Sequence, residues 1–107
     1  MEEKSLENLD NLIGKIGDNF SILALSSPQP NAFNEPTVKL NVWGVGYSIA
    51  TNTADDTFEV AIFGDTDLEI LSPLTADDII GLIAEKSNET MVKIYSNRGA
   101  YKHNILI

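Results

Sequence analysis

The segment TVKLNVWGVGYSIATNTADDTFEVAIFGDTDLEIL, residues 37–71, determines the predicted fold of this 107-residue chain. Apolar residues alternate with more polar ones in three parts of it, which is the pattern of strands with one buried face. Polar turns at 51–56 and 64–67 separate these parts and predict tight connections. The alternating apolar positions are Val38, Leu40 and Val42, then Phe58, Val60 and Ile62, and then Leu68 and Ile70.

The alternation changes phase near two glycines. The apolar positions are even-numbered up to Val42 and odd-numbered at Val45, Tyr47 and Ile49. A shift of one residue would turn the following side chains to the other face of the sheet. We therefore predict a bulge or bend at Gly44–Gly46, where glycine tolerates the distortion. By the same alternation, Glu59 and Glu69 are expected on the outer face, together with Ala61 and Phe63.

Two amphipathic helices are predicted on either side of the central strands. Leucine and isoleucine recur at helical spacing over residues 5–16, and Gly17 is expected to end this helix. Thr75 is a suitable N-cap for the second helix, and Asp78 stands at the capping-box position. The second helix is expected to end near residues 87–88.

Further strands are predicted at 20–25, 90–95 and 100–107, and the proline-rich segment 26–36 is predicted to be an extended loop. Within that loop Phe33 either belongs to a binding loop or packs into a small satellite cluster. The predicted fold is a single α+β domain over residues 1–107. It has an antiparallel sheet of about six strands with two helices on one face, in the order α-β-β-β-β-α-β-β.

The net charge of −9 is concentrated in the middle of the chain. Between Leu40 and Glu85 there are nine acidic residues and no lysine or arginine, whereas the remaining seven acids are balanced by seven basic residues. Such a surface repels nucleic acid and anionic membranes and attracts basic partners. The nine acids are Asp55, Asp56, Glu59, Asp65, Asp67, Glu69, Asp77, Asp78 and Glu85.

Composition favours a soluble cytoplasmic protein. Cysteine is absent, the amino terminus has no apolar signal region, and no apolar run reaches the ~20 residues that span a bilayer. No catalytic, cofactor-binding or metal-binding residue is predicted. His103 is the only histidine and has no nucleophile context. The segment 65–69 begins like a calcium loop, but Ile70 replaces the required glycine.

These observations predict a small, acidic, non-enzymatic interaction or inhibitor protein that occupies a basic surface of its partner. Expected partners are a nuclease, a nucleic-acid-guided effector or a toxin, a profile shared by immunity proteins and phage anti-defence proteins. Trp43 is expected to be an aromatic anchor among carboxylates. The predicted partner-binding residues are Trp43, Asp55, Asp56, Glu59, Phe63, Asp65, Asp67 and Glu69.

Three alternatives remain open at this point. The acidic surface has a plain explanation in solubility, and this explanation applies if residues such as Lys15 and Lys39 neutralise it. A structural subunit that forms a homodimer or larger assembly through sheet edges is suggested by the apolar segment 104–107. An enzyme or small-ligand binder would use a pocket lined by Tyr47, Tyr101 and His103.

Overall fold

The structure is a computed structural model, and it describes residues 3–52, 55–64 and 67–90. Of the strands predicted at 90–95 and 100–107, residue 90 belongs to the second helix instead, and the remainder lies outside these ranges. The elements in chain order are α1 (Glu3–Asn19), β1 (Ile22–Leu25), β2 (Gln29–Pro30), β3 (Pro36–Val42), β4 (Val45–Asn52), β5 (Thr57–Phe63), β6 (Leu68–Leu74) and α2, which covers residues 76–90.

The six strands form one antiparallel sheet in the order β1-β3-β4-β5-β6, and the short β2 pairs with β3. Both helices pack on one face of this sheet, because their apolar residues join a single core with the inward-facing side chains of β3, β4 and β5. The predicted α+β class is therefore confirmed. The buried core consists of Leu9, Leu12 and Ile16 of α1, Ile79 and Ile83 of α2, and Val38, Leu40, Val42, Tyr47, Ile49, Phe58, Val60 and Ile62 of the sheet.

The predicted bulge at Gly44–Gly46 is instead a two-residue hairpin turn between β3 and β4. Val42 pairs with Val45, so Trp43 and Gly44 form the turn, with φ of 56° and 85°. Positive φ at both central residues defines the type I′ turn, whose twist matches that of the flanking strands. The side chain of Asn41 supports the turn by accepting a hydrogen bond from the Gly44 amide at 2.9 Å. The change of phase in the sequence therefore marks a chain reversal.

The segment 26–36 contains a second, smaller hairpin. Gln29–Pro30 pairs with Pro36–Thr37, and the Asn31 side chain accepts hydrogen bonds from the amides of Phe33 and Glu35, each at 2.9 Å. These bonds hold a five-residue tip at 31–35. Phe33 lies at this tip and is 81% exposed, so the expected satellite cluster does not form.

Helix α1 is longer than predicted, and the start of α2 matches its prediction. Helix α1 passes through Gly17 and continues to Asn19, because its buried face outweighs the low helix propensity of glycine. At the start of α2 the Thr75 amide donates to Asp78 Oδ2 at 3.0 Å, and the Asp78 amide donates to Thr75 Oγ1 at 3.1 Å. The predicted capping box is therefore present.

Candidate functional site

A cleft of about 500 Å³ lies where the β3–β4 and β5–β6 turns meet helix α2. Antiparallel pairing brings both turns to the same end of the sheet, and the last described turns of α2 lie beside them. Four of the eight predicted partner-binding residues line this cleft. They are Trp43, Phe63, Asp67 and Glu69.

The two aromatic residues are held by the sheet and remain accessible. Trp43 occupies the β3–β4 turn and is 44% exposed, and Phe63, at the end of β5, is 49% exposed. Phe63 pairs across the strands with Gly46, where an added Cβ would lie 3.5 Å from the Phe63 Cβ. The missing side chain at Gly46 lets the Phe63 side chain lie close to the neighbouring strand. Both aromatics are therefore available for contact with a ligand.

Glu69 faces the helices, contrary to its predicted position on the outer face. The β5–β6 turn pairs Phe63 with Leu68 and Ile62 with Glu69. Because Ile62 belongs to the core, its cross-strand partner Glu69 lies on the helix-bearing side. Leu68 and Ile70 take the outer positions instead, where each is 58% exposed. The prediction had continued the odd–even alternation unchanged from β5 into β6. The four-residue turn instead pairs odd-numbered residues of β5 with even-numbered residues of β6, and the reverse.

Helix α2 supplies an ammonium group and a further carboxylate to the cleft. Lys86 Nζ lies 3.6 Å from a carboxylate oxygen of Glu69 and 3.9 Å from one of Glu89. With Asp67, the cleft contains three carboxylates and one lysine among the described residues. Sequence analysis missed both α2 residues. The 86–89 spacing places them on one helical face, but the helix was expected to end before Glu89.

A buried hydroxyl group lies in the core on the helix-bearing side of the sheet. Tyr47 is 1% exposed, and within the described chain its hydroxyl has no hydrogen-bond partner. Burial raises the pKa of Tyr47 to about 12, and the nearby Glu89 carboxylate adds to this effect. Ile62, the cross-strand neighbour of Tyr47, lines the cleft, as does Glu89. Tyr47 itself does not line the cleft, and among the described residues its hydroxyl is an unpaired polar group of the core.

The other predicted site residues lie elsewhere. Asp55 and Asp56 occupy the β4–β5 turn at the opposite end of the sheet. Asp56 accepts a hydrogen bond from Asn8 at 3.0 Å and lies 3.7 Å from Lys4 Nζ. Glu59 is exposed on the outer face, where it pairs with Ala50 of β4. Asp65 lies outside the described residues. The predicted residues therefore do not form one contiguous surface.

Lysines of the helices neutralise part of the acidic charge. Lys4 pairs with Asp56, Lys15 pairs with Asp77, and Lys86 bridges two carboxylates of the cleft. The solubility explanation required that lysines neutralise the acidic surface. This condition is met at Asp77, which Lys15 neutralises. It is not met at Asp67, for which residues 3–52, 55–64 and 67–90 provide no ion pair.

Two further depressions occur in the structure. One of about 290 Å³ lies between α1 and the start of α2, beside Asp56 and Lys15. The other, of about 520 Å³, is a shallow apolar groove on the outer face between β1 and Phe63, floored by Gly46. No group of three or more potential metal ligands occurs in the described part of the chain. Of the two helices described, neither is long and apolar enough to cross a membrane.

Comparison of the chain with protein-family models, with curated proteins and with solved structures finds no match.

Proposed function

We propose that the chain is a non-enzymatic protein-binding module that occupies a basic surface of a partner protein. The observation that supports this most directly is the composition of one end of the sheet. Trp43, Phe63 and Leu68 are each about half exposed there, directly beside the carboxylates of Asp67 and Glu69. Exposed aromatic anchors with a charged rim are typical of the centres of protein interfaces.

The charge balance favours a basic partner. The described residues include fourteen carboxylates and four lysines, and three of these lysines already form ion pairs. A surplus of this size produces a negative potential that accelerates association with a cationic surface. Proteins that bind nucleic acid carry such surfaces. We therefore propose a nuclease, a nucleic-acid-guided effector or a toxin as the partner class, with inhibition by occupation of its basic site.

The proposal is tested by capture of a partner from the host at low salt, followed by binding kinetics with the purified partner. We expect the association rate to fall steeply as salt is raised, because exposed charges are screened beyond about 8–10 Å at physiological ionic strength. Reversing the charge at the cleft with Asp67→Lys and Glu69→Lys should slow association on the order of tenfold.

The matched control carries two reversals on the exposed side of α1, Glu7→Lys and Asp10→Lys, so that the total charge of the two variants is the same. If both variants slow association equally, general charge and not the cleft end guides binding. An association rate that responds neither to salt nor to either variant would refute the proposed mechanism.

A second function, assembly through sheet edges, is favoured by one specific observation. Among the strands that the structure describes, β6 pairs only with β5, and its residues Leu68 and Ile70 are each 58% exposed. An exposed apolar edge strand is a template for pairing with another strand. Sedimentation of the purified chain over a wide concentration range tests this candidate, and a monomer at every concentration would eliminate it.

A further inference from the structure

Strand β6 is an open edge of the described sheet. Among the described strands it pairs only with β5, and none of its seven residues is buried. Leu68 and Ile70 are exposed on the outer face, directly across from Phe63 and Ala61 of β5. Glu69 is the one charged residue of the strand. Proteins normally cover or charge such an edge, because its backbone groups and apolar side chains otherwise pair with other chains.

Helix α2 returns the chain to the end of the sheet where β6 begins. Thr75, at the start of α2, lines the depression beside Asp56, where β6 ends. Lys86 and Thr90 line the cleft at the other end of the sheet, together with Glu69 at the start of β6. Lys86 Nζ also lies 3.6 Å from a Glu69 carboxylate oxygen. The chain that follows Thr90 therefore continues from a point near the first residues of β6.

The segment 91–107 has the sequence of a strand pair that matches this edge in length. Nine of its seventeen residues are apolar, and the residues Ser-Asn-Arg-Gly at 96–99 separate the two predicted strands. Strands rise about 3.3 Å per residue, so strands of six to eight residues span about 20–26 Å. Strand β6, with seven residues, spans about 23 Å. Each predicted strand can therefore cover most of the edge.

Charge favours this segment over a second copy of the chain as the occupant of the edge. The segment contains Lys93, Arg98 and Lys102 and no aspartate or glutamate. The described residues carry fourteen carboxylates and four lysines, a surplus of ten negative charges. The segment is therefore attracted to the described domain, whereas two copies of the chain, each with a net charge of −9, repel one another.

We infer that residues 91–107 extend the sheet as a β-hairpin docked on the edge of β6, with the turn of the hairpin near Ser72. The hairpin covers Leu68 and Ile70 and pairs with the free backbone groups of the strand. This inference goes beyond the proposed function, because it holds whatever partner the protein binds. It also assigns to the chain itself the edge that assembly between copies would use.

A spin label tests the position of the hairpin. The chain has no cysteine, so Ser96→Cys allows a nitroxide to be attached at one position of the full chain. The label should broaden the NMR amide signals of Leu71 and Ser72 and leave those of residues 31–34, beside β2 at the other side of the sheet, unchanged. A mixture of labelled chain with isotope-enriched, cysteine-free chain separates docking within one chain from pairing between copies. We expect no broadening in the mixture.

Hydrogen exchange measures the coverage of the edge. Consecutive amides from Glu69 to Ser72 should exchange at least about a hundredfold more slowly than in an unstructured chain, whereas an uncovered edge protects only alternate amides. Ile94→Asp and Ile105→Asp should each remove this extra protection and lower the urea midpoint by about 1 M, because they place a charge in the docked hairpin. The matched control Asn97→Asp adds the same charge in the turn and should change neither quantity.

Fast exchange at alternate amides of β6 in the unaltered chain, or aspartate variants that behave like the control, would overturn the inference. Broadening confined to the mixture would also overturn it, in favour of a second copy on the edge. If an aspartate variant does not fold, the label and the exchange of the unaltered chain decide. None of these measurements involves a partner protein, so their failure is distinguishable from failure of the proposed function.

Discussion

Gly14 and Gly44 allow the same chemical change to be made in opposite backbone conformations. Gly14 lies within α1, and Gly44 lies in the β3–β4 turn with φ of 85°. A methyl group added at either position meets no atom within 4 Å. Since neither substitution produces a steric clash with the rest of the fold, any difference between Gly14→Ala and Gly44→Ala must come from the backbone conformation.

The expected effects on the free energy of unfolding have opposite signs. Alanine is favoured over glycine by about 0.8–1.0 kcal/mol in a helix interior, so Gly14→Ala should stabilise the fold by roughly that amount. In the left-handed region an L-residue costs about 1–2 kcal/mol. Part of this cost, about 0.4–1 kcal/mol, is offset by the reduced entropy of the unfolded chain. Gly44→Ala should therefore destabilise the fold by about 1 kcal/mol.

Urea unfolding followed by far-UV circular dichroism measures both effects. With a slope of about 2 kcal/mol per molar urea, the midpoints of the two variants should differ by about 1 M, one on each side of the unaltered protein. If Gly44→Ala were as stable as the unaltered protein, Gly44 would not require positive φ. The two-residue turn would then be refuted, and with it the position of Trp43 at the cleft.

Three further predictions follow from single contacts. Thr75→Ala should destabilise the fold by about 1 kcal/mol in urea unfolding, and Thr75→Ser should restore most of the loss, because serine keeps the capping hydroxyl. Hydrogen bonds from Thr75, first from its backbone amide and then from its side chain, lower the pKa of Asp78 below its ordinary value of 3.8. Their contribution should be present above about pH 4 and disappear as the pH falls through the lowered pKa. Asp78→Asn should remove this dependence from unfolding curves measured across acid pH. Tyr47→Phe should raise the unfolding free energy by about 1 kcal/mol by removing an unpaired buried hydroxyl. It should also abolish a loss of stability between pH 10 and about 12, where the unfolded chain releases the tyrosine proton and the folded chain retains it.

Contacts between residues close in sequence were predictable. The capping box joins Thr75 to Asp78, three positions apart, and both its residues and its hydrogen bonds match the expectation. The inward alternation of β3 and β5 was equally readable, since each strand carries its own pattern. In both cases the physical cause acts within a few residues, so a short stretch of sequence contains all of it.

Relations across turns were not predictable in the same way. The phase change at Gly44 fits either a bulge or a chain reversal, and only the pairing of Val42 with Val45 distinguishes them. The position of Glu69 depends on how many residues the β5–β6 turn uses, because one residue more or less moves every following side chain to the other face.

The sequence by itself determined an acidic α+β domain with an antiparallel sheet and two amphipathic helices, because charge, alternation and helical spacing are properties of the chain. The tertiary structure alone decided which carboxylates lie together. It placed Asp55 and Asp56 at one end of the sheet, where a lysine of α1 approaches Asp56, and Asp67 and Glu69 at the other. Which residues lie close together depends on strand register and helix packing, which act between residues far apart in the chain.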